Sequence, residues 1–254
     1  AQCLVGSEMC IRDSNTPRAS SNSVAELAIA HMLSCARFVS VAGHTMREGK
    51  WEKKAYGKGI EIGGKTLGVI GYGRIGQALG RMAQALGMQV LAYDIFKVDG
   101  LECDTMHYVE MDELLAKSDF ISLHTPSIDG KPFINAETIA KMKDGVVFID
   151  NARGELMDID AVTEAVESGK FGALFMDAFP GETGIIHVPH DEDIIRTPGM
   201  PYFKLKYLRS FVNVYHTPHM AFFTEEAAEQ MAECGINSIH EILTTGKSRH
   251  EIPC

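Results

Sequence analysis

Three side chains with complementary chemistry stand directly after apolar runs of the sequence: Arg153, Glu182 and His219. A guanidinium can hold a carboxylate with two parallel hydrogen bonds. A histidine can move a proton near neutral pH, and a neighbouring carboxylate can orient its ring. Together they are the equipment for binding a 2-keto acid and protonating it as it is reduced. Each also has a structural alternative, respectively an ion-pair arginine, a solvated loop acid and a histidine that caps a turn.

A glycine-rich turn in the sequence indicates where the hydride for such a reduction would come from. Gly71, Gly73 and Gly76 lie between an apolar run and a helical pattern, and Asp94 closes the next apolar run. The first glycine permits a tight turn, the second lets a pyrophosphate approach the backbone, and the third lets the helix pack close to the strand. The helix N-terminus offers free N–H groups and its positive dipole end to the phosphates. A turn made only for packing explains the glycines but not the acid, so we expect a dinucleotide site.

The cofactor should be NAD rather than NADP. The carboxylate of Asp94 can accept hydrogen bonds from both ribose hydroxyls, and its charge repels a 2′-phosphate at close range. No arginine follows it, and Lys97 is the one nearby residue that could soften the preference.

The elements that must position these groups alternate along the chain, which favours a parallel sheet with helices on both sides. Six runs of the sequence are apolar throughout rather than alternating, which indicates strands buried on both faces. They are Thr66–Ile70, Gln89–Tyr93, Phe120–His124, Val146–Asp150, Ala173–Asp177 and Val212–His216. Helices are predicted at Ser23–Val41, Arg74–Leu86, Met111–Ala116, Ala136–Met142, Ile159–Ser168 and Thr224–Leu243. Gly181–Ser210 breaks the alternation and is predicted to be a long functional loop. Ligands of open parallel sheets bind beyond the carboxyl ends of the strands, so the three groups should converge with the glycine turn.

Composition narrows the function further. The chain of 254 residues has a formal net charge of −10 and no block of Lys or Arg, which disfavours nucleic acid and membrane surfaces as partners. Its six cysteines include no CxxC pair, which fits a reducing compartment and predicts a cytoplasmic protein. His187 and His190 lie in a proline-containing acidic loop, where we expect no metal.

The chain resembles the NAD-dependent D-2-hydroxyacid dehydrogenase family, and within it the D-lactate dehydrogenase branch. Besides the glycine turn, the matching motifs are Asn22–Glu26, Tyr93–Asp94, Leu123–Pro126, Asn151–Gly154, Met176–Phe179 and Thr217–His219. The resemblance implies Arg153, Glu182 and His219 as the catalytic residues, Asp177 as the residue that binds the nicotinamide carboxamide, and Phe222 in the substrate pocket. The residues expected to contact the cofactor are Gly71, Gly73, Arg74, Ile75, Gly76, Asp94, His124, Thr125, Pro126, Asn151, Ala152, Arg153, Asp177, His219 and Ala221.

The chain also departs from the family pattern. Asp150 stands where the family usually has Asn or a neutral residue. The family has a second, flavodoxin-like substrate domain, largely before Thr16, whose glycine loop has no counterpart in this sequence. We therefore expect an N-terminally truncated chain that binds NADH but turns over pyruvate poorly. Residues 1–14 match nothing and are expected to be an artefact.

The fold class that follows is α/β, a doubly wound, mainly parallel sheet of Rossmann topology with remnant helices of the second domain. Residues 15–50 are assigned to a hinge, 51–222 to the NAD-binding domain and 223–254 to a C-terminal helix. The function is hydride transfer between NAD(H) and a small D-2-hydroxy or 2-keto acid, D-lactate and pyruvate first. Two alternatives remain, a D-2-hydroxyacid dehydrogenase with a bulkier substrate and a non-catalytic NAD-binding module. The resemblance implies a homodimer formed through Ser23–Trp51.

Overall fold

The structure, a computed structural model, describes residues 16, 19–51, 53–126, 131–182 and 201–250. The chain divides into two compact units. One spans Ser21–Ala221 and holds the sheet, and the other includes residues 222–250 of the described chain. The domain boundaries that the sequence suggests at 50/51 and 222/223 stay predictions.

The larger unit is built on a parallel sheet of seven strands in the order β3-β2-β1-β4-β5-β6-β7. The strands are β1 Thr66–Ile70, β2 Gln89–Tyr93, β3 Met106–Tyr108, β4 Phe120–Leu123, β5 Val146–Asp150, β6 Phe171–Met176 and β7 Val214–His216. The chain leaves β1 in one direction and returns to the other side of it at β4. The topological switch point is therefore between β1 and β4, where a doubly wound sheet binds its ligand.

Helices cover both faces of the sheet, as the continuous apolar strands require. On one face, α1 (Ser21–Arg37) packs against α3 (Arg74–Ala85) and over β5 and β6. On the other face lie α4 (Met111–Lys117), α5 (Ala136–Lys141) and α6 (Ile159–Glu167). The strands are buried between these two layers; every residue of β4 and β5 is enclosed. A rigid sheet results, and its carboxyl edge carries the candidate site.

The predicted first helix is in fact two helices. Phe38 adopts a left-handed conformation (φ 58°), so α1 ends at Arg37 and α2 (Val39–Arg47) follows at a bend of 70°. No single described helix is long and apolar enough to cross a membrane, although this bent pair meets the length and composition criteria together. Ala25, Ala28 and Met32 of α1 belong to the core.

Two further elements differ from the prediction. The three-residue strand β3 is too short to show as an apolar run. The predicted loop Gly181–Ser210 contains a helix, α7 (Pro201–Leu208), which begins with a proline, a residue favoured at the first helical position. Residues 183–200 of that loop lie outside the described part of the chain.

The smaller unit contains a long helix, α8 (Glu225–Thr245). Thr224 caps its N-terminus by accepting the Ala227 N–H at 3.2 Å, and Gly246 ends it in a left-handed conformation (φ 79°). This helix confirms the predicted C-terminal helix to within two residues at each end.

Candidate active site

The glycine turn between β1 and α3 has the geometry of a phosphate cradle. Gly71 has a φ of 91°, and a Cβ there would lie 2.7 Å from the main-chain carbon of His124. A Cβ on Gly76 would lie 2.3 Å from the Gly71 carbonyl oxygen. Gly73, in contrast, faces open space and caps α3 without any side chain. The first and third glycines are thus needed for packing, and the second leaves the helix N-terminus open to an anion.

Two main-chain N–H groups hold the carboxylate of Asp94 beside the glycine turn. One carboxylate oxygen accepts the Tyr72 N–H at 2.7 Å and the other accepts the Phe96 N–H at 2.9 Å. The Gly71 N–H in turn donates to the Tyr93 carbonyl at 2.9 Å. Because these bonds fix the carboxylate beside the turn, the remaining lone pairs of Asp94 are oriented before a ribose arrives.

Arg153, Glu182 and His219 follow β5, β6 and β7, which are neighbours in the sheet, so all three stand at its carboxyl edge. Arg153 lies in the turn after β5 and donates from its guanidinium to the Ala152 carbonyl oxygen at 2.8 Å. Its side chain is exposed. The guanidinium can therefore meet a substrate carboxylate with its remaining donors.

A tight turn presents Glu182. Its N–H donates to the Phe179 carbonyl at 3.1 Å, and Pro180 and Gly181 (φ 77°) occupy the two central positions that favour proline and glycine. The side chain closes back on the same turn, because Oε2 accepts the Phe179 N–H at 3.2 Å. The other oxygen of the carboxylate, Oε1, is left to face the histidine.

His219 and Glu182 are in direct contact. The Nδ1 atom of His219 lies 2.6 Å from Glu182 Oε1, and both side chains are partly buried. A carboxylate at Nδ1 fixes the ring orientation and leaves Nε2 as the atom that can exchange a proton. His219 itself has a positive φ of 50°, which is uncommon for a residue with a side chain and typical of constrained functional positions.

Asp177 stabilises that constrained backbone. Its buried carboxylate accepts the Met220 N–H at 3.0 Å, the Ala221 N–H at 2.9 Å and the Thr217 hydroxyl, while its main-chain carbonyl accepts the His219 N–H at 2.9 Å. The segment around the histidine is therefore tied to the end of β6. The sequence suggested a nicotinamide contact for Asp177 and gave no sign of this second role; the nicotinamide contact stays a prediction.

Gly154 joins the two turns that carry Arg153 and Glu182. A Cβ on it would lie 2.2 Å from the Phe179 carbonyl carbon and 2.3 Å from the Pro180 nitrogen. Both are main-chain atoms and cannot move aside. Only glycine allows the turn after β5 to touch the turn after β6, and this contact sets the spacing of the two catalytic candidates.

Three other residues predicted to contact the cofactor, His124, Thr125 and Asn151, differ in where they lie. The backbone of His124 and Thr125 lies against Gly71, and His124 Nε2 lies 2.8 Å from the Ser122 hydroxyl oxygen. Burial lowers the pKa of His124 to about 4, so this ring is neutral at pH 7. The side chain of Asn151 points toward α1, where it donates to the Val24 carbonyl at 3.4 Å. Its Oδ1 atom has no partner among the described residues, and its cofactor contact stays a prediction.

Asp150, at the end of β5, is the most perturbed acid of this edge. It is fully enclosed (0% exposed). Its Oδ1 accepts the Ala152 N–H at 2.8 Å, whereas Oδ2 has no partner among the described residues. Burial, with help from nearby acids, raises the pKa of Asp150 to about 8.

Two further predictions are not tested by the geometry of this edge. Phe222 belongs to the smaller unit, where its ring is edge-to-face with that of Phe223, so its place in a substrate pocket stays a prediction. His187 and His190 lie outside the described residues. Within the described part of the chain, no group of three or more His, Cys, Asp or Glu side chains could hold a metal ion.

Comparison with known proteins gives consistent matches. The family profile described as "D-isomer specific 2-hydroxyacid dehydrogenase, NAD binding domain" matches residues 29–221. A hydroxypyruvate reductase from Thermotoga maritima is 44% identical over 238 residues, which cover 93% of this chain and 70% of the relative.

Solved structures agree with the sequence relatives. A D-lactate dehydrogenase from Treponema pallidum is 32% identical with a TM-score of 0.84, over 96% of this chain and 72% of that one. A D-lactate dehydrogenase from Aquifex aeolicus, solved with NAD and lactic acid, is 31% identical with a TM-score of 0.84, over 96% of this chain and 74% of that one. This chain thus spans about 70% of the length of the proteins it matches.

Proposed function

The chain belongs to the D-isomer specific 2-hydroxyacid dehydrogenases, oxidoreductases that use NAD, and from that premise we propose that it reduces pyruvate to D-lactate. The observation that carries the reduction of a 2-keto acid is the 2.6 Å contact between His219 Nδ1 and Glu182 Oε1. This pair stands at the strand edge that also presents Arg153. A carboxylate-bearing carbonyl compound needs both a cation for its carboxylate and a proton donor for its oxygen.

The glycine turn fits the cofactor. Gly73 faces open space at the start of α3, and no side chain caps this helix. A side chain at this position would fill the cradle. The carboxylate of Asp94 is already oriented toward the turn. When bound, NADH supplies a hydride to the carbonyl carbon of the substrate. Main-chain N–H groups of the turn would hold the pyrophosphate, and Asp94 would hold the ribose.

The chain's own residues divide the remaining work. Arg153 binds the substrate carboxylate and polarises the ketone. His219 donates a proton from Nε2 to the oxygen that becomes the hydroxyl, a contribution typically worth ~10²–10⁴ in rate. Glu182 holds the ring through Nδ1, and Asp177 holds the backbone on which the ring is mounted. Reduction and its reverse use the same atoms, because His219 takes back the proton when the hydroxy acid is oxidised.

Hydroxypyruvate is the second candidate substrate. It shares the carboxylate and the ketone of pyruvate and adds one hydroxyl group, and the 44% identical relative is a hydroxypyruvate reductase. Arg153 and His219 would treat both acids alike, so the choice between them depends on contacts at the third carbon. A bulkier acid remains the alternative within the same reaction class.

The test is NADH oxidation with pyruvate, hydroxypyruvate and phenylpyruvate, compared by kcat/KM. NADH binding is measured separately by fluorescence titration on the same preparation. We expect NADH binding and a higher kcat/KM for a three-carbon acid than for phenylpyruvate. A preference for phenylpyruvate would support the bulkier-substrate alternative. NADH binding without turnover of any of the three acids, even after fusion to the N-terminal part of the Thermotoga relative, would support a non-catalytic module.

We also propose that the protein forms a homodimer through residues 23–51. This segment exposes Val39 (60%), Met46 (50%) and Trp51 (84%), apolar side chains that a second chain could cover. Light scattering should give twice the chain mass, and the double variant Val39→Glu, Met46→Glu should give one chain mass. A wild-type protein with the mass of one chain would contradict the proposal. A cytoplasmic location stays a prediction.

A further inference from the structure

Asp150 is a buried carboxyl group that the proposed reaction does not use. As the last residue of β5 it lies opposite Leu123 on β4 and Met176 on β6, both buried and uncharged. A carboxylate removed from water without a cation is strongly disfavoured relative to the neutral acid. Its surroundings therefore favour the protonated form.

The two oxygens of this carboxyl group have unequal roles. Oδ1 accepts the Ala152 N–H at 2.8 Å. Ala152 directly precedes Arg153, so this bond holds the turn that presents Arg153. Oδ2 is buried with no partner in the described structure. A negative charge spread over both oxygens would leave half of its charge on an atom with no donor to stabilise it.

The charged groups nearby do not compensate for that charge. Asp177 and Glu182, after β6, and Glu155, in the 3₁₀ turn Gly154–Leu156, all oppose ionisation of Asp150 electrostatically. Burial is the larger cause, and together these effects raise the pKa of Asp150 to about 8.

Two histidines of this edge, His124 and His216, offer no positive charge either, and the ring of His219 is directed to Glu182. Burial lowers the pKa of His124, after β4, to about 4, and burial with the nearby Arg209 does the same for His216 at the end of β7. Both rings are neutral at pH 7. Arg153 directs one guanidinium nitrogen to the Ala152 carbonyl.

We propose that Asp150 is a positioning residue that works as a protonated acid and keeps the Arg153 turn in place through the Ala152 N–H. A protonated acid offers one acceptor oxygen and one hydrogen-bearing oxygen, much as an asparagine amide offers one acceptor and one donor group. Loss of the proton puts another carboxylate among Asp177, Glu182 and Glu155 and destabilises the turn. The effect on turnover rests on the proposed function, whereas the effect on folding does not.

The direction of the pH effect follows from the two states of the chain. The folded protein keeps the proton up to about pH 8, whereas the unfolded chain loses it near the ordinary value of 3.8. Between these values the folded state binds more protons, so stability falls as pH rises. An amide at this position does not titrate. The unfolding equilibrium constant of the wild type should therefore rise relative to Asp150→Asn by up to about tenfold per pH unit in this window.

Urea unfolding at pH 5, 7 and 9 tests the protonation directly. The control is Asp144→Asn, because it makes the same side-chain change where the acid is 91% exposed beside Lys170. We expect Asp150→Asn to gain stability over the wild type as pH rises, while Asp144→Asn follows the wild type. Parallel pH profiles for the wild type and Asp150→Asn would overturn the proposal.

Turnover of a 2-keto acid tests the positioning role. Asp150→Asn should keep kcat/KM within about threefold at pH 7, and its ratio to the wild type should rise at pH 9. Asp150→Leu cannot accept the Ala152 N–H and should lose more than about tenfold at both values. A kcat/KM of Asp150→Leu equal to the wild type would also overturn the proposal. If Asp150→Leu does not fold, the Asp150→Asn profile decides. If the chain reduces none of the acids, only the proposed function fails, because the unfolding measurement is independent of it.

Discussion

Two regions of the site are built in different ways. The nucleotide end is the glycine turn after β1 with Asp94, and the catalytic edge is formed by Arg153, Glu182 and His219 after β5, β6 and β7. At the nucleotide end, each contact is made to main-chain atoms: Gly71 packs on His124, Gly76 packs on Gly71, and Asp94 accepts the Tyr72 N–H. At the catalytic edge, carboxylate side chains hold the histidine: Glu182 binds its ring, and Asp177 binds the Ala221 N–H of its backbone segment. Main-chain packing around one turn positions the cofactor, whereas the catalytic groups depend on three strands being in register.

Removing the proton donor should separate the two regions most clearly. Asn tolerates the left-handed backbone that His219 adopts, so His219→Asn removes the proton without forcing the backbone to change. We expect kcat to fall by ~10²–10⁴ while the Kd for NADH stays within about twofold. His107→Asn, at an exposed position on β3, is the control. A comparable loss of NADH affinity would show that the two regions are not independent.

Gly154→Ala should damage the catalytic edge through packing alone. The added Cβ meets the Phe179 and Pro180 main chain at 2.2 and 2.3 Å, so the turns carrying Arg153 and Glu182 must separate. A displacement of this kind can cost about 10²-fold in kcat/KM, and overpacking costs about 1–3 kcal/mol in the free energy of unfolding.

Gly235→Ala is the matched control for that experiment. Gly235 lies within α8, where a Cβ meets nothing within 4 Å, and alanine should gain about 0.5–1 kcal/mol there. Steady-state kinetics and urea unfolding measure both variants. Wild-type kinetics for Gly154→Ala would mean that the contact between the two turns does not set the catalytic spacing.

Glu182→Gln tests the charge of the residue that orients His219. The amide can still accept from Nδ1 but no longer supports a charged ring, so kcat should fall by about 10- to 100-fold with NADH affinity unchanged. Glu137→Gln, whose side chain is 81% exposed on α5, should leave kcat unchanged. Equal rates for Glu182→Gln and the wild type would restrict Glu182 to a structural role in its own turn.

The smallest predicted effect concerns the nucleotide end. The oriented carboxylate of Asp94 should make the Kd for NADH at least about tenfold lower than that for NADPH, because its charge repels the 2′-phosphate. Lys97 lies 3.8 Å from Glu110, so part of its charge is already compensated. Lys97→Gln should widen the preference by no more than about threefold. Equal or tighter NADPH binding to the wild type would contradict this assignment.

The sequence predicted most of the sheet because continuous apolar runs are the direct consequence of burial on both faces. β1, β2 and β5 have the predicted bounds, and β4, β6 and β7 differ by one or two residues. The sequence predicted one helix where α1 and α2 form, and it predicted a loop where α7 forms. A left-handed Phe38 and a helix after a proline-rich stretch follow from tertiary packing, which local propensity does not report.

The sequence by itself determined the dinucleotide turn, the family and the order in which the catalytic candidates follow their strands. It could do so because a glycine spacing and a run of apolar residues are local patterns with few physical solutions. Only the tertiary structure decided that Asp177 ties down the His219 backbone, that Gly154 joins two turns, and that Asp150 is enclosed with one oxygen unpartnered. Those properties depend on which strand ends become neighbours and on how much water is excluded between them, and neither quantity is encoded in the spacing of residues along the chain.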